Sequence, residues 1–92
     1  MIEKEIERRM CEMVRQRGGL TYKFVGLEAG VPDRIVIAPT GVWFVELKTQ
    51  KGRLSKMQNY QIARLKKHGA NVRVIHGPED AQEFINEVFP ND

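Results

Sequence analysis

The 92-residue sequence predicts one α/β domain, residues 1–92, in which a mixed β-sheet is flanked by helices. Three segments carry apolar residues at helical spacing, and four short β-rich segments bounded by glycine or proline separate them. The predicted order is α-β-β-β-α-β-α. Antiparallel strands followed by a helical crossover to one more strand make a mixed sheet. A chain of this length has room for a single hydrophobic core.

The first helix is predicted over residues 2–17, and Gly18-Gly19 ends it. Residues 20–25 are rich in β-forming side chains and predict a short strand. Residues 26–32 contain two glycines and a proline, so they predict a loop. The apolar stripe of the helix consists of Ile2, Ile6, Met10, Met13 and Val14.

The next two strands are predicted at residues 34–38 and 42–48, with the turn sequence Pro39-Thr40-Gly41 between them. A hairpin follows from this arrangement. A two-residue turn at Thr40-Gly41 would place Asp33 opposite Lys48, with Glu46 diagonally beside the aspartate. A slip of one residue would instead send Asp33 to face Leu47.

Two charged side chains interrupt an apolar face of the second hairpin strand. Side chains alternate along a strand, and a buried face carries charges only where they are paired or bind a metal. The change from apolar to charged residues therefore indicates the edge of a cleft. One face carries Val42, Phe44, Glu46 and Lys48, and the other carries Trp43, Val45 and Leu47.

In the second half, Ser55 is a plausible N-cap for a helix over residues 56–68, and Gly69 closes it. Residues 70–75 predict the last strand. Pro78 lies in the first turn of a final helix. The apolar face of that helix consists of Ala81, Phe84, Ile85 and Val88.

Composition narrows the class of protein. The formal net charge is +3, which favours a polyanionic partner without establishing one. No apolar run is long enough to span a bilayer, and residues 1–5 do not form a secretory signal, so we expect a cytoplasmic protein with no membrane partner. Cys11 is the one cysteine and cannot form an internal disulfide.

Asp33, Glu46 and Lys48 are the candidate chemical groups. Two carboxylates on paired strands can bind Mg²⁺, a cation that prefers oxygen ligands, and the Leu47 carbonyl is a candidate third ligand. An ammonium group beside them can orient water and stabilise negative charge at a reacting phosphate. The simpler alternative is a surface ion pair between Glu46 and Lys48, with Asp33 capping a turn.

In their order along the chain, these residues resemble the VRR-NUC (virus-type replication-repair nuclease) domain, in its stand-alone form, of the PD-(D/E)xK nuclease superfamily. The resemblance runs nearly end to end and implies a fold like that of the restriction endonucleases. It rests on a glutamate in the first helix and on Gly30-Val31-Pro32-Asp33-Arg34, Val45-Glu46-Leu47-Lys48, Gly52-Arg53-Leu54-Ser55-Lys56-Met57-Gln58 and Leu65-Lys66-Lys67-His68-Gly69.

The resemblance implies a site for Mg²⁺, with Mn²⁺ as a substitute, at Asp33, Glu46 and the Leu47 carbonyl. It makes Lys48 catalytic and gives Gln58 a supporting role. It also implies a glutamate from the first helix. Glu3 lies beside the apolar stripe and is our choice, whereas Glu7 lies farther out on the helical projection.

Small members of this family are similar to Holliday-junction resolvases and act as homodimers. The resemblance therefore implies a structure-selective DNA endonuclease for four-way junctions, and the virus-type family is compatible with a phage gene in a bacterial host. Lys51, Arg53 and Lys56 would hold DNA phosphates. The alternatives are a nuclease for flaps, other DNA or RNA, and a non-catalytic DNA-binding module.

The remaining aromatic and histidine side chains receive simpler interpretations. Trp43 lies on the face opposite Glu46 and is expected in the core or in a dimer interface. Tyr22 and Tyr60 are candidates for stacking on bases. His68 and His76 are expected to be structural.

Overall fold

The structure, a computed structural model, describes residues 1–90. Its elements follow the predicted order α-β-β-β-α-β-α. The helices are α1 (Glu3–Gln16), α2 (Lys56–Lys67) and α3 (Gly77–Val88), and the strands are β1 (Leu20–Lys23), β2 (Arg34–Ala38), β3 (Gly41–Lys48) and β4 (Asn71–His76).

The four strands form one mixed sheet in the order β1-β2-β3-β4. β1, β2 and β3 pair antiparallel, and β4 runs parallel to β3. The parallel pair requires a crossover, which α2 provides. The mixed sheet flanked by helices is confirmed.

The hairpin between β2 and β3 differs from the predicted register by two residues. The turn is Pro39-Thr40, which pairs Ala38 with Gly41 rather than Pro39 with Val42. Proline at the second turn position and glycine at the fourth suit the commonest β-turn. Arg34 pairs with Val45, so one further step in the same register places Asp33 opposite Glu46, not opposite Lys48. A shift of two residues preserves the face, so Asp33 and Glu46 still share one side.

The core lies between the sheet and the helices α1 and α3. These helices pack on each other and on β3, while α2 contacts β4. Trp43 lies on the core side, where its ring meets Phe84 edge to face at 5.7 Å between centroids. The largest contributors to the core are Ile6, Met10, Val14, Val36, Val45, Leu47, Ile75, Phe84, Ile85 and Val88.

Element ends differ from the predicted ends by one or two residues. β1 stops at Lys23, although the Phe24 N–H still donates to the Asp33 carbonyl at 2.8 Å before the loop leaves the sheet. Ser55 caps α2 as predicted, since its side chain accepts a hydrogen bond from the Gln58 N–H. No helix within the described residues is long and apolar enough to cross a membrane.

Candidate active site

Glu46 is a buried carboxylate on the side of the sheet that faces α2, with 1% of its surface exposed. Its Oε2 accepts a hydrogen bond from Gln58 Nε2 at 3.1 Å. Among residues 1–90, no donor reaches its Oε1. Buried polar atoms are normally hydrogen-bonded, because an unpaired one costs free energy. This oxygen is therefore available to a positively charged ligand.

The surroundings of Glu46 favour its protonated form. Burial, the negative charge and hydrogen bonding of Asp33, and the more distant charge of Glu3 raise the pKa of Glu46 to about 8, while Lys48 acts in the opposite direction. Desolvation is the largest of these causes. In the metal-free protein near neutral pH, this carboxyl therefore carries a proton that a bound cation must displace.

Asp33 lies immediately before β2, at the point where the β2–β3 ladder ends. Its Oδ2 accepts a hydrogen bond from the backbone N–H of Leu47 at 3.3 Å. The Asp33 carboxylate thus accepts a hydrogen bond that a main-chain carbonyl would accept if β2 were longer. Because the N–H and C=O of a strand residue point to the same side, the Leu47 carbonyl also faces Asp33. The three predicted oxygen donors are thereby brought to one end of the hairpin.

Lys48 lies two residues beyond Glu46 on the same face. Its Nζ is 3.9 Å from Glu46 Oε2, and 14% of the side chain is exposed. This distance exceeds that of a hydrogen bond, so the pair interacts through charge alone. The ammonium is therefore not committed to the carboxylate and can interact with a substrate. In the parallel ladder His76 is the residue opposite Lys48, with its Nδ1 3.3 Å from the Thr49 carbonyl oxygen.

Gln58 connects the start of α2 to Glu46. Its Oε1 accepts from the Ser55 N–H at 2.8 Å, which completes a capping box, and its Nε2 donates to Glu46. Gly30 allows the preceding loop to approach this turn: its φ is +88°, and a Cβ there would lie 2.5 Å from the Met57 carbonyl oxygen. Only glycine fits this combination of backbone conformation and close approach.

The two glutamates considered for helix α1 have different environments. Glu7 forms an ion pair with Arg34, at 3.0 Å between Oε2 and Nη1. Glu3 is exposed at the start of the helix, and its charge is among those that raise the pKa of Glu46. The charge of Glu3 thus reaches Glu46, and its catalytic role stays a prediction, while Glu7 is occupied by an ion pair that the sequence did not reveal.

The basic residues predicted to bind DNA and the second glutamine of α2 do not contact Glu46. Three predicted DNA-binding side chains are exposed: Lys51 and Arg53 lie between β3 and α2, and Lys56 is the first residue of α2. Gln61 is buried, but its amide contacts the Ala29 carbonyl oxygen and Glu28 Oε2, both at 3.4 Å, rather than Glu46. Of the two inward-facing glutamines on α2, Gln58 alone reaches the candidate site.

The donor set fits a hard divalent cation better than zinc. Asp33, Glu46 and the Leu47 carbonyl are oxygen donors, which Mg²⁺ and Mn²⁺ prefer. The unpaired Oε1 of Glu46 would be a buried ligand for such an ion once the ion has displaced the proton of this carboxyl. Within residues 1–90, no three His, Cys, Asp or Glu side chains lie close enough together to hold a metal by themselves. A carbonyl or water ligand would have to complete the set.

Comparison with known proteins identifies the family. The VRR-NUC domain matches residues 3–79 of the chain. "Putative nuclease p44" of Acyrthosiphon pisum secondary endosymbiont phage 1 is 40% identical over 90 residues, which covers 96% of this chain and 91% of that protein. A solved structure of a VRR-NUC domain superimposes with a TM-score of 0.82 at 30% identity, covering 91% of this chain and 94% of its own. On the sequence match and the structural match, the chain belongs to the VRR-NUC family of nuclease domains.

Proposed function

We propose that this protein is a divalent-metal-dependent DNA endonuclease that hydrolyses phosphodiester bonds in branched DNA. The observation that carries the proposal is the buried Glu46 carboxylate, with one unpaired oxygen, beside Asp33 and Lys48. Fold stability alone does not call for this arrangement, because burying an ionisable group is costly. A cation bound by the two carboxylates would compensate for that cost.

Asp33, Glu46 and the Leu47 carbonyl are the residues that would hold Mg²⁺, and Mn²⁺ would substitute for it. When bound, the ion supplies Lewis-acid chemistry at the scissile phosphate and lowers the pKa of a coordinated water. The protein positions the donors beforehand. Gln58 orients Glu46 through its Oε2, and the Leu47 N–H fixes the carboxylate of Asp33. Both restraints come from rigid elements rather than from a loop.

Lys48 acts on the substrate in this proposal. Its ammonium lies on the same face as Glu46, at a distance that leaves its hydrogen bonds free for other partners. It would orient the attacking water and stabilise the charge that develops on the phosphate oxygens. Lys48→Met removes the charge while keeping an unbranched side chain of similar reach. That variant should retain metal binding and lose cleavage by about a hundredfold or more.

Lys51, Arg53 and Lys56 would contact DNA phosphates. All three are exposed and follow Lys48 along the chain, so a strand bound at Lys48 would pass close to them. Such contacts give affinity without sequence specificity. Replacing any one of them with glutamine should weaken DNA binding equally for all sequences. The slope of log affinity against log salt concentration should fall by roughly the amount expected for one phosphate contact.

The proposed substrate is a four-way DNA junction, and the proposed active form is a homodimer. A two-fold symmetric dimer carries two identical active sites, which matches the pairs of equivalent strands in a junction. The phage relative named as a nuclease supports nucleic-acid hydrolysis. It also supports a phage-encoded protein acting in the cytoplasm of a bacterial host.

Cleavage assays on a panel of labelled substrates test the proposal. A four-way junction, a flap, a linear duplex and an RNA strand would each be incubated with wild-type protein or Asp33→Asn in Mg²⁺ or Mn²⁺. We expect junction cleavage that Asp33→Asn reduces by about 10³-fold or more. If the protein cleaves the flap or the RNA in preference to the junction, the proposed substrate is wrong and the preferred one takes its place. No cleavage of any substrate, with no metal binding by calorimetry, would indicate a non-catalytic module.

A further inference from the structure

The charged side chains of helices α2 and α3 are segregated by sign. α2 carries four basic side chains and no acidic one, and α3 carries four acidic side chains and no basic one. The two helices lie in different layers, because α3 packs with α1 on the core side of the sheet and α2 packs against β4 on the opposite side. The basic residues are Lys56, Arg64, Lys66 and Lys67, and the acidic residues are Glu79, Asp80, Glu83 and Glu87.

One stripe of α2 faces away from the sheet and has a lysine at each end. Its members are spaced four, three and four residues apart, so they lie on one side of the helix. All of them are exposed, whereas Gln61 and Ile62 are buried on the inner side. This stripe, which we call the α2 stripe, consists of Lys56, Tyr60, Ala63 and Lys67.

The two lysines of the α2 stripe are available to a negatively charged ligand. Among residues 1–90, neither Lys56 nor Lys67 forms an ion pair, whereas Arg64 pairs with Glu28 at 3.4 Å between Nη1 and Oε2. Cations on a helix that carries no acidic side chain attract a polyanion. Tyr60 lies between the two lysines, and its hydroxyl can donate a hydrogen bond to a phosphate oxygen.

We propose that the α2 stripe binds the sugar–phosphate backbone of one duplex arm of the DNA substrate. The inference rests on the proposed function and adds to it the path of the DNA over the protein. α2 begins at the candidate active site, where Gln58 donates to Glu46, and the stripe leads away from that site along the helix. The small side chain of Ala63 lets the DNA backbone approach the middle of the stripe.

The length of the α2 stripe sets the reach of this contact. A helix rises about 1.5 Å per residue, so Lys67 lies about 17 Å beyond Lys56 along α2. Duplex DNA advances about 3.4 Å per base pair, so the stripe covers roughly five base pairs of an arm. The two lysines would therefore contact different phosphates, with Lys67 at the one farther from the scissile phosphate. The acidic side chains of α3 would repel DNA from the other side of the sheet.

Fluorescence anisotropy with a labelled four-way junction tests the inference, in a buffer with EDTA so that no DNA is cleaved. The variant is Lys67→Glu. The matched control is Arg15→Glu, because Arg15 is exposed in the last turn of α1, just as Lys67 is exposed in the last turn of α2. Both substitutions change the net charge by the same amount and meet the same helix dipole. If circular dichroism shows that Lys67→Glu does not fold, Lys67→Gln and Arg15→Gln decide the test.

We expect junction binding to weaken by about tenfold or more for Lys67→Glu and by less than about threefold for Arg15→Glu. For Lys67→Gln, the slope of log affinity against log salt concentration should fall by about 0.9, the amount for one phosphate contact. A folded Lys67 variant that binds no more weakly than its Arg15 control overturns the inference, and so does wild-type protein that binds no junction.

This binding assay separates the inference from the proposed nuclease, because it requires no cleavage. A protein that cleaves DNA but binds it through another surface contradicts the role of the α2 stripe alone. A protein that binds the junction through the α2 stripe but cleaves no substrate contradicts the proposed nuclease alone.

Discussion

Gln58 donates a hydrogen bond from Nε2 to Oε2 of the buried Glu46 at 3.1 Å, while its Oε1 accepts from the Ser55 N–H that begins the same helix. One amide thus joins the cap of α2 to the carboxylate of the candidate site. A change that disorders the first turn of α2 should therefore also change the orientation of the Glu46 carboxylate. The two roles can be separated, because Ser55 takes part in one of them only.

Replacing Gln58 and Ser55 separately distinguishes the cap from the site. Ser55→Ala removes the hydroxyl that caps α2 and should cost about 1 kcal/mol of unfolding free energy, with cleavage nearly unchanged. Gln58→Ala should cost a similar or larger amount and reduce cleavage by about tenfold to a hundredfold, because Glu46 loses its donor. Urea unfolding and single-turnover cleavage measure the two effects. Equal cleavage by both variants would show that the Gln58 contact has no part in the reaction.

Gly30→Ala should be strongly destabilising. The new Cβ would lie 2.5 Å from the Met57 carbonyl oxygen at a φ of +88°. We expect a loss of about 3 kcal/mol or more, because steric overlap adds to the backbone strain. Gly69→Ala is the matched control: its φ is +90°, but a Cβ there would meet nothing within 4 Å. That variant should lose about 1–2 kcal/mol, from strain alone. If the two variants lose similar unfolding free energy, the loop at Gly30 does not pack tightly against the start of α2.

The metal-free protein should lose stability as the pH rises from about 4.5 to about 8. Burial and the charge of nearby Asp33 raise the pKa of Glu46 from 4.5 to about 8, so in this range the folded state binds a proton that the unfolded state does not. Unfolding free energy then falls with pH, by at most about 1.4 kcal/mol per pH unit from this group. Below about pH 4.5 both states are protonated and the contribution is fully present; above about pH 8 it is lost.

Urea unfolding in the presence of a chelator measures this slope, with Glu46→Gln as the control. The amide does not titrate, so the variant should lack the Glu46 contribution and should exceed the wild type in stability increasingly as the pH rises toward 8. Parallel stability profiles for the two proteins would mean that Glu46 has an ordinary pKa.

Alanine replacements at Glu3 and Glu7 decide which glutamate of α1 serves the site. Glu7→Ala removes the carboxylate partner of the half-buried Arg34, which keeps only its hydrogen bond to Thr21, and we expect a loss of about 1–3 kcal/mol with cleavage largely retained. Glu3→Ala changes an exposed side chain, so the melting temperature should not move while cleavage falls about tenfold or more. The opposite pattern would assign the role to Glu7.

Much of the fold is readable from the sequence because local signals agree with the packing. Ser55 precedes an amphipathic segment and caps α2, and the alternation around Glu46 places it on the face of Asp33. The hairpin register was predicted two residues away from its position, because Pro39-Thr40 and Thr40-Gly41 are both acceptable turns. Since register shifts of two residues preserve the face, the convergence of Asp33 and Glu46 did not depend on choosing between them.

Long-range features of the site are not readable in the same way. The ion pair between Glu7 and Arg34 joins residues 27 positions apart, and no local pattern indicates it. His76 lies opposite Lys48 only because of the parallel β3–β4 register, which depends on how α2 returns the chain to the sheet. The position of the α2 stripe beside the candidate site likewise follows from where α2 packs, which sequence periodicity does not specify.

Glu46→Gln gives the most direct test of the proposal that this protein is a metal-dependent nuclease. The substitution replaces one oxygen of the buried carboxylate with an amide nitrogen of nearly the same size. Single-turnover cleavage of the preferred DNA substrate would be measured with Mg²⁺, beside calorimetric binding of Mn²⁺. The account predicts a folded protein that binds DNA, binds Mn²⁺ at least about tenfold more weakly and cleaves at least about 10³-fold more slowly. Cleavage and metal binding at wild-type levels would contradict it.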